Sequence, residues 1–443
     1  MPGPTPHPVK SDPDAPQHAD VVVIGGGIIG ASTALELAER GLKVALCEKG
    51  EIGAEQSSRN WGWVRLSWRD PREIPLMLEA IRAWETMDSR TGRQTGYRQT
   101  GILFTAPDEA AFMQNEAWSR HLEPFQVEFQ LLRGAELDAA MPGHRMSVTG
   151  ALLTPCDGRA EPQWAAPAIA EAARDAGAAV LTRCAVRGIV REAGHVSGVV
   201  TEQGSIKCSR VVLAGGAWSR LFAGNEGVEL PQLKVMNSVL RTTPVANGPD
   251  AAVWADRFAL RRRADGGYTV ASGSGNLVDI VPDSFRLARM FWPALRNDWR
   301  KLGFRLSGRW REEASLPRRW SKDETTAFER HRILDPCPSK RTVEQAWAAT
   351  RAAFPIFETA EIAQSWAGLI DVTPDAIPVI SEVEDLPGFF IVTGFSGHGF
   401  GIAPGAGKLM ADLVTAVQPC VDPTPFRLSR FSDGSPITLM PAF

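Results

Sequence analysis

Val21 to Gly30, VVVIGGGIIG, decides the fold of this chain. A run of apolar residues (Asp20 to Ile24) enters glycines spaced G-x-G-x-x-G, and a helical pattern, ASTALELAERG, follows at once. This is the turn of a dinucleotide-binding βαβ unit. Gly25 makes the tight turn, Gly27 lets backbone approach a pyrophosphate, with Ile28 and Ile29 opening the helix, and Gly30 lets helix pack on strand. The phosphates then sit at a helix N-terminus, where unpaired N–H groups favour negative charge. A second strand, LKVALCEKG, carries Glu48 and Lys49 at its tip; Glu48 stands 18 positions after Gly30 and can accept hydrogen bonds from a ribose diol. The motif alone leaves nicotinamide and flavin dinucleotides both open.

The 443 residues suffice for two or three domains, and 44% hydrophobic with 22% charged residues is ordinary for a globular protein. With 48 basic and 51 acidic side chains, the net charge of -3 gives no electrostatic footprint for nucleic acid. Six scattered cysteines, none in a C-x-x-C pair, offer no metal site and no disulfide framework, and suit a reducing compartment. The longest uncharged apolar stretch is too short and glycine-rich to span a bilayer. The first 18 residues are proline-rich and polar without an apolar signal core, so we expect a disordered lead-in and a cytoplasmic protein.

Three separated blocks have strand-helix texture. They are residues 20 to about 70, a second block from GALLTPCDG to AGGAWS, and LPGFFIVTGFSGHGFGIAPGAGKLMADLVTAV near the C-terminus. The expectation is a discontinuous α/β cofactor domain of 19–75, 145–230 and 362–435. A second α+β substrate domain, on a mixed and largely antiparallel sheet, would take 76–144 and 231–361. The arginine- and tryptophan-rich segment from Phe285 to Arg332 reads as an amphipathic helix pair with a solvated basic face, balanced by Asp298, Glu312 and Glu313; the competing reading is a docking face.

The C-terminal block chooses between the cofactors. A strand (Phe389 to Thr393) feeds GFSGHGFGIAPG, and a helix beginning near Ile402 points its positive end at whatever that turn surrounds. A reduced flavin carries negative charge around N1 and O2, which such an end stabilises. Tight packing accounts for some of these glycines, but not for Ser396 and His398 among them.

Together these motifs resemble the FAD-dependent D-amino acid oxidase family, which includes glycine oxidase and monomeric sarcosine oxidase. The likeness rests on GGGIIG with Glu48 and Lys49, SSRNWGW (Ser57 to Trp63), EPQW with Val186, AGGAWS, W-x-G-x-x-x-x-TPD (Trp366 to Asp375) and GFSGHGF. It implies a Rossmann-like FAD-binding domain with FAD extended to a substrate domain. Val186 would contact adenine; Ser57, Ser58, Arg59, Asn60, Trp61, Gly62 and Trp63 would line the phosphates and ring system. Ala214, Gly215 and Trp218, with Gly394, Gly397, His398, Gly399, Phe400 and Gly401, complete the implied FAD site. The sequence departs from the family at three positions. Gly368 stands where sarcosine oxidase holds its flavin through a cysteine, so the resemblance implies noncovalent FAD. Ile370 stands where glycine oxidase and D-amino acid oxidase hold a carboxylate-binding arginine, and Gly401 where sarcosine oxidase has a lysine.

The implied reaction is hydride removal from a carbon bearing nitrogen to flavin N5, giving an imine that water hydrolyses to a 2-oxo acid, with oxygen or another acceptor taking the electrons. Three residues are expected to act on the substrate. Arg65 would pair with its carboxylate, the alternative being a surface ion pair. Asp371 would accept a cationic substrate end such as a guanidinium, unless it caps the turn before Thr373-Pro374. His398 would tune flavin or amine charge, or else shape its turn. Trp63, Trp68 and Trp254 would wall the pocket. The competing functions are a flavin dehydrogenase of 2-hydroxy acids and a flavin-holding subunit needing a partner; a homo-oligomer is equally open.

Overall fold

The computed structural model describes residues 3–273, 276–299 and 302–440. Its first sheet is six-stranded, in the order 379–382, 389–393, 210–213, 21–24, 44–47 and 179–181. All its pairs are parallel except 379–382 with 389–393. Strand Val21–Ile24 is buried on both faces, as a parallel sheet demands. Its side chains alternate: Val21 and Val23 pack in one core with helices Ile28–Glu39, Pro162–Asp175 and Gly399–Thr415, whereas Val22 and Ile24 pack in another with the meander 186–207. Each fully buried valine or isoleucine here is worth roughly 1.5–3 kcal/mol.

The second sheet has ten strands. Its order is 302–305, 276–279, 233–242, 268–271, 258–262, 252–255, 102–106, 150–154 and 130–132, with Ile362–Val372 also paired to 233–242. Two of its pairs are parallel, 252–255 with 102–106 and 276–279 with 302–305; the other pairs are antiparallel. The expected mixed, largely antiparallel second sheet is present. The helix patterns expected across 284–303 and 340–353 resolve into Pro282–Arg286, Ala288–Asp298 and Lys340–Ala353.

Several expectations need correction. Strands Gly150–Thr154 and Ile362–Val372, assigned above to the cofactor domain, belong to the ten-stranded sheet. The longer one pairs with 233–242 along nearly its whole length, and only its end reaches the cofactor cleft. The lead-in is not loose. His7 N–H donates to Gln163 O at 2.9 Å and its ring stacks on Trp164, Asp12 exchanges backbone and side-chain hydrogen bonds with Val180, and Val9 is buried. Prolines that lower disorder in the unfolded chain also reduce the entropy cost of laying such a strap on a surface. The basic helix pair also differs from expectation, because its large apolar residues, Phe285 (66% exposed) and Trp292 (61%), face outward. Glu313 does balance charge there, with Lys234 and Arg309, whereas the side chain of Asp298 lies outside the described residues. Among the described residues no helix is long and apolar enough to cross a membrane.

Candidate active site and flavin cleft

The strand ends Ile24, Cys47, Leu213 and Val392 open into one cleft of about 1330 Å³ including its mouth. Its floor is the glycine turn. Gly25 has a φ of +108°, and a Cβ there would lie 2.5 Å from Ala214 O. A Cβ on Gly30 would come to 1.9 Å from Gly25 O, so strand and helix touch backbone to backbone. Gly27, Ile28 and Ile29 line the cleft, and Ile28 N–H donates to Ser57 Oγ at 2.9 Å. Gly30 supports the turn from behind.

At one end Glu48 accepts from Gly26 N–H (2.6 Å) and Gly50 N–H (2.7 Å), fixing its carboxylate at the cleft wall with lone pairs to spare. Burial raises its pKa against the pull of Lys49. Lys49 is itself tied down by Glu55 (2.6 Å) and the carbonyls of His331 and Arg332, over the ring of Trp218. Val186, Ala214, Gly215 and Trp218 complete this wall.

In the segment 57–63, Ser57, Arg59 and Asn60 line the cleft, and Ser58 is turned inward to Glu55 O. The Arg59 Nη1 is engaged by Asp335 (2.6 Å) and Ala367 O (3.0 Å). Asn60 shapes the following turn by accepting from Gly62 N–H, and Arg261 holds Trp61 O at 2.6 Å. Trp61, Gly62 and Trp63 stand beside the cleft instead of lining it. Trp61, Trp63, Trp254 and Phe104 form an aromatic box with ring centroids 5.3–6.4 Å apart. Trp68, expected in this wall, is stacked on Trp118 and bonded to Asn115.

Arg65 enters that box. It is 8% exposed, with its guanidinium 5.7 Å from the Phe104 ring and 5.9 Å from Trp254, and it donates to Ser67 O. Among the described residues no carboxylate lies within ion-pairing distance of it, so the surface ion pair is ruled out. Burial, then the neighbouring Arg69, press its pKa down to about 9.

At the other end the helix begins at Gly399, three residues earlier than expected, and Gly397, Gly399 and Phe400 line the cleft. Gly394 and Gly401 serve the turn without lining it. A Cβ on Gly401 would meet Trp63 O and Val64 Cα at 2.9 Å, so this position has no room for a lysine. Asp371 is engaged within the protein: its Oδ2 accepts from Gly394 N–H (2.7 Å), Thr393 Oγ1 (3.2 Å) and Gln232 Nε2 (3.2 Å). Oδ2 is thus committed to holding the turn at Gly394, a turn-holding role of the kind weighed above, while the residue also lines the cleft. We therefore expect Asp371→Asn to lower turnover of arginine and leucine by equal factors; a loss confined to arginine, read from parallel kcat/KM values, would establish the cation role. His398 lies behind this turn, with Nδ1 toward Glu73.

Sequence reasoning missed Gln56, Thr393, Gln232, Phe328 and Leu334 in and around the cleft, and Arg69, Glu73 and Asp157 beneath Arg65. Gln56 beside Ser57 was the one with a signal.

The cleft fits FAD on its own geometry. A backbone cradle in which Gly25 and Gly30 have no room for a Cβ lies midway, a fixed carboxylate at one end, a glycine turn opening a helix at the other, and the buried Gln56 Oε1 has no partner among the described residues. Residues 20–413 match the family of FAD dependent oxidoreductases known as DAO. The chain belongs to this family. It is 34% identical to the L-amino acid deaminase of Proteus myxofaciens, whose structure in complex with anthranilate superposes with a TM-score of 0.94 over 98% of both chains. It is 25% identical to sarcosine oxidase subunit beta of Rhodobacter capsulatus, over 96% of this chain and 91% of that one. With the 4-methylaminobutanoate oxidase (formaldehyde-forming) of Paenarthrobacter nicotinovorans it shares 26% identity over 94% of this chain, spanning 46% of that longer protein. The protein is thus an FAD-dependent amino acid or amine oxidoreductase.

Proposed function

We propose that this enzyme deaminates a free L-amino acid with a large apolar or aromatic side chain, giving the 2-oxo acid and ammonia. The observation that carries the reading is Arg65: a guanidinium buried in an aromatic box, without a carboxylate partner among the described residues, is suited to receive one. The indole N–H of Trp63, buried in the same box and also unmatched, supplies a second donor. The similarity to an L-amino acid deaminase supports the same assignment, including its hand. Bound FAD supplies the hydride acceptor. Glu48 would hold its ribose, the 25–30 turn its pyrophosphate, and the Gly397–Phe400 helix start the electron-rich edge of its ring. Arg65 orients the substrate, and the tryptophans exclude water around the carbon that loses hydride.

The binding of FAD is noncovalent in this reading. Gly368, standing where an attaching cysteine would be needed, has no thiol to bond the flavin. Acid precipitation is expected to leave the yellow colour in the supernatant; colour retained in the pellet refutes the point.

Anaerobic flavin bleaching tests the function. L-phenylalanine and L-leucine are expected to bleach the flavin, and their D-enantiomers, L-arginine, sarcosine and 2-hydroxy acids to do so at least about 100-fold more slowly, ~2.7 kcal/mol of discrimination. Bleaching by 2-hydroxy acids alone would replace the reading with a hydroxy-acid dehydrogenase. No bleaching by the isolated chain would replace it with a subunit awaiting its partner.

A further inference from the structure

Beneath Arg65 and the flavin turn lies a set of buried charges that the reading above does not use. Arg69, 1% exposed, directs its guanidinium at three elements: Nε donates to Arg65 O at 2.7 Å, Nη2 to His398 O at 3.0 Å, and Nη1 to Glu73 Oε1 at 3.3 Å. The segment carrying the carboxylate-binding arginine and the turn opening the last helix are thus joined through one side chain. Glu73 is fully buried. Among the described residues its second oxygen, Oε2, has no hydrogen-bond partner, and neither has the buried Nδ1 of His398; the two atoms face each other at 3.6 Å.

Two facing orphans of this kind are costly apart, at about 1–3 kcal/mol each, and cheap together. A proton on Nδ1 and a closure of a few tenths of an ångström satisfy both. We propose that Glu73 is a positioning residue of this site, which accepts the Nδ1–H of His398 and so leaves Nε2 unprotonated in a side chain that is one quarter exposed. Where the bare Nε2 reaches a substrate held at the neighbouring Arg65, an imidazole in this tautomer can take the proton that a substrate ammonium must lose before its carbon gives up hydride. The N–H bond of the ammonium breaks, an Nε2–H bond forms, and the ionised Glu73 stabilises the imidazolium produced. The proton-transfer step rests on the amino-acid reading above; the tautomer does not.

The charges around the pair agree. His398 faces Glu73, Arg65 and Arg69; burial lowers its pKa, the two arginines lower it further, and Glu73 opposes them. Glu73 faces Arg69, His398 and Asp70; burial works against its charge, but Arg69 ahead of His398 outweighs it, so its pKa lies below the ordinary carboxylate value. Glu73 is therefore an anion beside an imidazole that is neutral at pH 7.

Nitrogen-15 spectra of the histidine ring in the FAD-loaded protein, assigned by loss of the signal in His398→Gln, test the tautomer directly. The expected result is a protonated Nδ1 and a bare Nε2 at pH 8; a proton on Nε2 overturns the proposal. Glu73→Gln is expected to lower the His398 pKa by about one unit or more, and to move the acid limb of the rate of anaerobic flavin bleaching by the same amount. Glu73→Asp, which keeps the charge, should restore most of that shift. An unchanged His398 titration in Glu73→Gln, or equal titrations in the Gln and Asp variants, would show a merely structural role. If no amino acid bleaches the flavin, the deamination reading fails, while the ring spectra still decide the role of Glu73.

Discussion

Arg65→Met is expected to raise KM for the amino-acid substrate by about 10²- to 10³-fold, ~3–4 kcal/mol, while the melting temperature of the FAD-loaded protein holds or rises. Both halves follow from one feature. A buried cation facing a partner carboxylate costs several kcal/mol when that partner is deleted, but Arg65 has no such partner among the described residues: its contacts are Ser67 O and the faces of Phe104 and Trp254. Asp157, the acid whose charge acts most on Arg65, is engaged with Leu66 N–H and Ser67. Its pKa is pushed up to about 6 by burial. Methionine fills a similar volume without a charge to desolvate, so the free protein loses little and is relieved of the buried guanidinium. A structural arginine gives the opposite pattern, with a lower melting temperature and equal loss on amines that lack a carboxylate. Measuring KM for an amino acid and for its decarboxylated amine, beside a thermal melt, separates the two.

How far the sequence carried depends on the distance over which each feature is made. The glycine turn is a local device, encoded within ten residues and confirmed by strand 21–24, helix 28–39 and the parallel partners on either side. The large mixed sheet was legible as strand patterns, but not its membership. Residues 150–154 and 362–372 look like cofactor-domain strands because they lead into such segments, and pairing with the distant strands 102–106 and 233–242 assigns them elsewhere. Asp371 shows the same limit in chemistry. An acid next to the position where relatives carry a substrate-binding arginine suggested a cation, yet backbone N–H of Gly394, 23 residues on, engages one oxygen of that carboxylate. Arg69 and Glu73 carried no signal at all, because their meaning arises only where the helix entered at Ile74 meets a turn more than 320 residues later. Polar, proline-rich composition likewise concealed the lead-in, whose order comes from edges of the cofactor sheet and helix 162–175 that it covers.

Two glycines of the opening motif should fail in different ways when replaced by alanine. Gly30 lies inside helix Ile28–Glu39, where alanine gains about 1 kcal/mol in helix propensity. The added Cβ would sit 1.9 Å from Gly25 O and 3.3 Å from Ala214 Cβ, both part of the sheet edge, so the helix must move off the strand. Overpacking of rigid backbone costs ~3 kcal/mol or more and outweighs the propensity; Gly30→Ala is expected to be destabilised with or without FAD. Gly27 has φ -67° and ψ 173°, which alanine adopts freely, and its Cβ would meet nothing closer than Ser57 Oγ at 3.1 Å. The protein alone therefore tolerates Gly27→Ala. The methyl group instead enters the cleft where the pyrophosphate must touch backbone. FAD affinity is expected to fall about 100-fold or more, ~2.7 kcal/mol, with the melting temperature of the flavin-free protein unchanged. Titrating each apoprotein with FAD, alongside its thermal melt, distinguishes them. A Gly27→Ala protein that keeps full FAD affinity would mean that the phosphates lie away from this turn, and the cofactor's path through the cleft would have to be redrawn.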